Sequence, residues 1–276
     1  MAVALALAAS LMWGVGDYLG GMASRRNALV TVILAGQVAG LLSLVVVAAV
    51  RGIDVSARGA LAGVAAGLLS AIAITSFYRA LTIGSMSIAA PVLSTSAAVP
   101  VIVSLSGGDL PSPLQSAGIA LALVGVVLAS REPEHGHPDP AAQRRSFLLA
   151  LLATVAVGLQ LVLLSTAAQT DPLLGVTASR VTSVVIFAAV ALVVRPPVRR
   201  PALPGLAGIG ILDTAANVSY AAATTAGLLS VVAVLSSLYP VVTVGLAHRR
   251  LGERLAGSQR IGVALALGGA ALISAG

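Results

Sequence analysis

The sequence predicts an all-α polytopic membrane protein: ten transmembrane helices arranged as two inverted five-helix repeats. Three observations carry this reading. Hydrophobic residues make up 58% of the chain and charged residues only 9%, against roughly 25% charged in a soluble domain, so there is too little polar surface to cover a fold in water. The apolar sequence is cut into stretches of about 20 residues, the length a helix needs to cross a hydrocarbon core. One polar run, Arg131 to Arg145, then divides the chain into two halves that repeat.

In chain order the first half holds apolar spans at 2–22, 28–50, 60–80, 85–105 and 114–130, and the second at 147–168, 173–194, 204–225, 227–247 and 258–274. The chain opens without a basic leader and runs straight on into apolar sequence, so its start reads as a first transmembrane helix rather than a signal peptide. Punctuation marks the breaks: Ser24-Arg25-Arg26-Asn27, Gly107-Gly108-Asp109, Asp171-Pro172, Arg195-Pro196-Pro197 and Arg249-Arg250-Leu251-Gly252-Glu253-Arg254. The strands of a membrane barrel are shorter and alternate; these runs are too long and too uniformly apolar. The predicted units are a first repeat at 1–130, a polar linker at 131–146 and a second repeat at 147–276.

The repeat is visible when residues 107–130 are laid over 251–274. Ten positions are identical, among them Gly108/Gly252, Gln115/Gln259, Gly118/Gly262 and Gly125/Gly269. Five spans per half is an odd number, so the second half enters the bilayer in the opposite sense, a common transporter design. Thirteen of the sixteen arginines fall in odd-numbered loops, two in even-numbered loops, and Arg180 lies within a span. The positive-inside rule then places the odd loops in the cytoplasm and both termini outside.

Composition narrows function. The net charge of +7 comes from arginine alone. Between apolar spans these residues read as topology signals and anionic-lipid contacts rather than a nucleic-acid surface. Cysteine is absent, so thiol chemistry and disulfides play no part. No Ser/His/Asp, Cys/His or HExxH arrangement suggests an enzyme, and no GxxxxGK[ST] motif suggests ATP-driven transport. His135 and His137 in the linker read as solvated residues; no metal and no cofactor are expected.

Polar groups inside spans are functional suspects, because a charge at the bilayer centre costs roughly 2.5–3.5 kcal/mol on insertion scales. Asp213, Asn217 and Tyr220 fall at i, i+4 and i+7, on one face of a helix. That stripe reads as a substrate or proton site, or else as helix–helix glue. Arg180 has three open readings: a partner for Asp213, a fork for an anionic substrate group, or an arginine snorkelling outward. Asp17 and Trp13 share a face of the first span. Asp17 and Arg180 fall on opposite sides of the midplane and are not expected to pair. Spans four and nine carry many hydroxyls, including Ser94, Thr95, Ser96, Ser104, Ser236, Ser237, Tyr239 and Thr243. Pro91, Pro100 and Pro240 interrupt them, which suits bending elements that line a cavity.

At this point the sequence resembles a known group. The stretch VLSSLYPVVTVGLAHRRLGERLAGSQRIGVALALGGAALIS at 234–274 is similar to the EamA-type transporters of the drug/metabolite transporter superfamily. Gly252-Glu253-Arg254-Leu255 followed by Gln259 and Gly262 is its most specific part. Gly108-Asp109-Leu110 with Gln115 and Gly118 is a weaker version that lacks the basic residue. Trp13-Gly14 and Tyr220 ahead of Gly227 also fit. The resemblance implies an inner-membrane (plasma-membrane) secondary transporter with a central cavity and alternating access, for amino acids, other metabolites or drugs, often as an exporter. The Gly-Glu-Arg-Leu motif lies at a membrane edge and reads as structural.

The expected function is therefore export of a small metabolite or drug-like solute by a monomer in the lipid bilayer, coupled to protons. The site residues are Asp213, Asn217, Tyr220, Arg180, Asp17, Trp13 and Tyr239. Two other classes remain open. A membrane-embedded lipid-processing protein would need catalytic groups at one interface, where only His248, Arg249, Arg250 and Glu253 gather. A non-transporting membrane subunit would have little need of buried ionisable groups.

Overall fold

Apolar surroundings offer a backbone no hydrogen-bond partners, so a chain of this composition must satisfy its amides internally. A computed structural model describes residues 1–83, 86–130, 139–251 and 256–276. Among these the regular structure is entirely helical. The linker residues 131–138, with His135 and His137, and the Gly252-Glu253-Arg254-Leu255 motif lie outside the described residues.

The helices are α1 (Ala2–Ser24), α2 (Leu29–Arg51), α3 (Ala57–Ile83), α4 (Met86–Ser94), α5 (Ala98–Ser106), α6 (Pro113–Ala129), α7 (Pro140–Ala168), α8 (Pro172–Val194), α9 (Leu203–Thr224), α10 (Leu229–Ser236), α11 (Tyr239–Leu251) and α12 (Gly257–Ala275). Among the described residues seven segments are long and apolar enough to cross a membrane, the stretch Leu229–Arg250 among them. The protein is a multi-pass membrane protein. α9 is not one of the seven, although it has 22 residues; it carries Asp213 and Asn217. α4, α5 and α6 are shorter apolar helices.

Two predicted spans are each broken in the middle. Span four becomes α4 and α5 around a 3-10 turn at Thr95–Ala97. Span nine becomes α10 and α11, parted at Ser237 and Leu238, with Pro240 at the second position of α11. Pro100 and Pro240 lack the amide that would continue the ladder. The polar linker is also shorter than 131–146, because α7 already begins at Pro140. Asp139 caps it by accepting from the Ala141 amide at 3.2 Å, and proline suits the first helical position.

The repeated glutamine has a local reason. At the start of α6, Ser112 Oγ accepts from the Gln115 amide at 3.1 Å, and Gln115 Oε1 accepts from the Ser112 amide at 3.0 Å. This is a capping box. At the start of α12, Gln259 Oε1 accepts from the Ala256 amide at 3.0 Å; alanine cannot return the bond, so half of the box remains.

Helices approach closely through small residues. α6 and α12 pack antiparallel, with Gly118 against Gly269 and Gly125 against Gly262. α3 packs on α7 and α8, α1 on α9 and α11, and α2 on α8 and α9. In the α2–α9 contact, a Cβ on Gly210 would lie 2.0 Å from the Gly36 carbonyl oxygen, whereas one on Gly36 would lie 3.4 Å from Gly210 Cα.

At one end of the bundle a single carboxylate ties two loops together. Asp171 caps α8 by accepting from the Leu173 amide at 2.8 Å. It also accepts from Arg51 Nη1 at 3.0 Å and from the Asp54 amide at 3.2 Å. Burial works against its charge, but the Leu173 amide, the Arg51 guanidinium and the Asp54 amide outweigh that and hold the carboxyl below its ordinary range. Ser56 and Thr170 hydroxyls meet at 2.8 Å beside it.

Two outcomes are expected. Gly210→Ala should lose about 1–3 kcal/mol of stability through overpacking, while Gly36→Ala stays within about 0.5 kcal/mol of wild type; detergent-solubilised thermal unfolding measures both. A carboxyl whose folded pKa is depressed adds stability above its unfolded value of about 3.9, and that stability is lost as pH falls through the folded pKa. The fall in melting temperature between pH 6 and pH 3 should therefore be smaller in Asp171→Asn than in wild type.

Candidate functional site

The centre of α9 carries the polar groups singled out from the sequence. Asp213 sits there with Asn217 one turn later, and α8 brings Arg180 across to it. Arg180 is buried, and its Nη2 donates to the Asp213 carboxylate in an ion pair. Its Nη1 donates to Gln37 Oε1 on α2 at 2.6 Å. Asn217 Nδ2 donates to the Asp213 backbone carbonyl at 2.7 Å and lies 3.4 Å from its carboxylate. Of the three readings of Arg180, pairing with Asp213 is the one the geometry displays. An arginine that is 6% exposed and held on two sides does not snorkel.

The predicted stripe on α9 divides. Tyr220 is fully buried, and its hydroxyl donates to the Leu161 carbonyl on α7 at 3.3 Å. The phenol therefore does not continue the polar track; its ring packs on Trp13 instead, with centroids 5.9 Å apart. Trp13 also meets Tyr239 edge-on at 6.4 Å. Thr243 Oγ1 donates to the Gly14 carbonyl at 3.1 Å, fastening α11 to α1 beside these rings. Aromatic groups of this kind prefer such tilted and edge contacts.

α1 runs antiparallel to α9: Trp13 meets Tyr220, and Gly20 lies against Ile209 at 4.0 Å. Asp17, one turn beyond Trp13, therefore arrives beside Asp213, and the two carboxyls lie within electrostatic reach of each other. Tyr78 on α3 and Tyr239 on α11 lie within reach of Asp17 in turn. Asp17 is exposed. The Asp213 side chain is 39% exposed. Asp17 has no hydrogen bond or ion pair among the described residues, and it does not reach Arg180.

All seven residues singled out from the sequence thus fall in one neighbourhood. Gln37 and Tyr78 belong with them and were missed. Gln37 was legible as a lone amide inside an otherwise apolar span. Tyr78 gave no such signal, since it stands beside Arg79 at the end of a helix. A separate cavity of about 320 Å³ opens between α3, α5, α7 and α10, lined among others by Arg58, Val162, Ser165 and Gln169. Its wall begins one residue past Leu161, whose carbonyl accepts from the Tyr220 hydroxyl.

Removing either partner strands a charge. Asp213→Asn and Arg180→Gln should each destabilise the protein by about 2–3 kcal/mol, and the double variant by less than the sum, with a coupling of about 1 kcal/mol or more. Unfolding of the four proteins in micelles measures the cycle.

The sequence pattern of the EamA-like transporter family matches residues 144–275. No curated protein matches the chain. Among solved structures, a crystal structure of another protein, 19% identical, superposes with a TM-score of 0.79 over 98% of this chain and 95% of that one. At that identity the likeness establishes the fold alone.

Proposed function

We propose, from the premise that the second half of the chain belongs to the EamA-like transporter family and that the protein is a membrane transporter of the drug/metabolite type, that it is a secondary transporter. It exports a small metabolite or drug-like solute by alternating access, coupled to protons. The observation that carries this is the polar cluster around Arg180 and Asp213, which we read as lining a hollow open to water. A carboxylate, a paired guanidinium and two amides gather at the centre of the bundle, with aromatic rings beside them and water access to the acids. A helix-gluing role would need none of the ionisable groups, each of which is costly in a membrane.

The architecture supports ten spans as two inverted repeats at 1–130 and 147–276. Each half would contribute three helices, one broken span and a last helix: α1, α2, α3, α4–α5 and α6, then α7, α8, α9, α10–α11 and α12. An offset of 144 carries Gly14 onto Gly158, and their contacts correspond. Gly14 lies against Tyr239 and Val242, and Gly158 against Ser96 and Val99. Exchanging the halves likewise turns the α1–α9 contact into α3–α7, and α2–α9 into α3–α8. The equivalent helices α6 and α12 run antiparallel, as inversion requires. With arginine-rich loops inside, both termini face outward from the inner membrane.

Mechanistically, the broken spans α4–α5 and α10–α11 bend where their ladders lack amides. In this reading the Trp13–Tyr220 layer, with Tyr220 buried and Trp13 half-buried, divides the hollow from the cavity near Arg58. Opening one side while the other closes would carry the solute past that layer. Asp213 and Asp17 are the proton carriers: protonation of Asp213 releases Arg180 from the pair, and solute and proton exchange at the same carboxyls. The protein works as a monomer in the bilayer.

The test starts with a thermal-shift screen of amino acids, sugars and organic amines on purified protein, followed by transport in proteoliposomes. Wild type should move the selected solute uphill on an imposed proton gradient. Asp213→Asn should lose at least tenfold in uphill rate. Uphill transport by Asp213→Asn at the wild-type rate would remove the coupling role.

A further inference from the structure

We propose that the solute is an organic monocation with an apolar or aromatic body, and that Asp17 is its counter-ion. This rests on the reading of the hollow as the solute site.

The charge balance around the hollow argues for it. Its ionisable lining is Asp17 from α1, Arg180 from α8 and Asp213 from α9, with Tyr78 from α3 and Tyr239 from α11 as phenols; α2 contributes the neutral Gln37. Arg180 directs Nη2 to Asp213 and Nη1 to Gln37, so that pair is closed and neutral. Asp17 is the surplus. The charged neighbour that acts on it is another carboxylate, Asp213, which can only worsen its position. A bare carboxylate at this depth favours any cation that reaches it.

An anionic solute fits poorly. It would face two carboxylates, and the one guanidinium among the described residues of the hollow already has partners on both terminal nitrogens. A zwitterion would satisfy Asp17 with its ammonium but leave its own carboxylate without a cation. A monocation completes the set.

The rings beside Asp17 describe the rest of the solute. Trp13 lies one helical turn before Asp17 on the same face. Tyr239 packs edge-on against Trp13 at 6.4 Å and lies within electrostatic reach of Asp17. An ammonium seated at Asp17 therefore has indole and phenol faces next to it, the surroundings that attract cations through ring quadrupoles, and these rings also receive an apolar body. Beside Asp17, Gly16 leaves room: no atom of another helix lies within 4 Å of where its Cβ would stand.

The chain contains one tryptophan, so Trp13 emission reports on this site alone. Purified protein in detergent is titrated with phenethylammonium, 3-phenylpropionate and phenylalanine, which present a similar phenylalkyl body as cation, anion and zwitterion. Phenethylammonium should change Trp13 emission saturably, with a half-saturating concentration at least tenfold below those of the other two. Asp17→Asn should raise that concentration at least tenfold; Asp17→Glu, which keeps the charge, should raise it less than threefold. If 3-phenylpropionate or phenylalanine saturates the signal as readily as the cation, or if Asp17→Asn binds like wild type, the assignment is overturned while the hollow remains a solute site. If none of the three alters Trp13, the assignment is also overturned, and the proteoliposome assay decides separately whether the site reading stands.

Discussion

An arginine and an aspartate paired at the centre of an apolar bundle constrain everything around them. Neither ion tolerates this setting alone, because taking a charge out of water costs several kcal/mol unless a partner and hydrogen bonds offset it. Arg180 finds Asp213 on α9 and Gln37 on α2, so one side chain fixes three helices relative to one another. Asn217 steadies the carboxylate end from the next turn. Asp213 also retains 39% exposure of its side chain.

Close packing makes that arrangement possible. α8 and α9 reach α2 and α3 through small residues, as where Gly36 meets Gly210 and Gly63 meets Gly175. In lipid there is no hydrophobic drive to press helices together, so van der Waals contact between close backbones carries the association. Bulk at these positions would part α2 from α9 and move Gln37 away from Arg180. The stabilising contacts and the polar site are thus one design: glycine brings the backbones near enough for a guanidinium to bridge them.

Much of this was legible in the sequence because membrane constraints are strong. Span length and arginine placement outlined the helices, and the offset of 144 singled out Gly118, Gly125, Gly262 and Gly269, which are the glycines where α6 and α12 meet. The cost of burying charge pointed to Asp213, Arg180 and Asp17 without any knowledge of packing. Other features were hidden for physical reasons. The hydroxyl of Tyr220 reads as part of the polar stripe, since spacing gives the face of a helix but not what lies opposite; the Leu161 carbonyl on α7 accepts from it instead. Gln37 was passed over because an amide costs less than a charge and stands out less. Asp171 looked like loop punctuation beside Pro172, yet it gathers the Leu173 and Asp54 amides and the Arg51 guanidinium, contacts that no local pattern encodes. The start of α7 at Pro140 was obscured because its first turns are polar and extend past the apolar run.

The central claim is a water-filled hollow that contains Asp17 and Asp213 in the interior of the membrane. Because the chain lacks cysteine, a single introduced thiol reports its own surroundings. Asp17→Cys, compared in sealed membranes with Val46→Cys on the exposed apolar surface of α2, should react with a small membrane-impermeant thiol reagent from one side of the membrane, while the Val46 thiol stays unmodified. Equal resistance of both thiols from both sides would contradict the account.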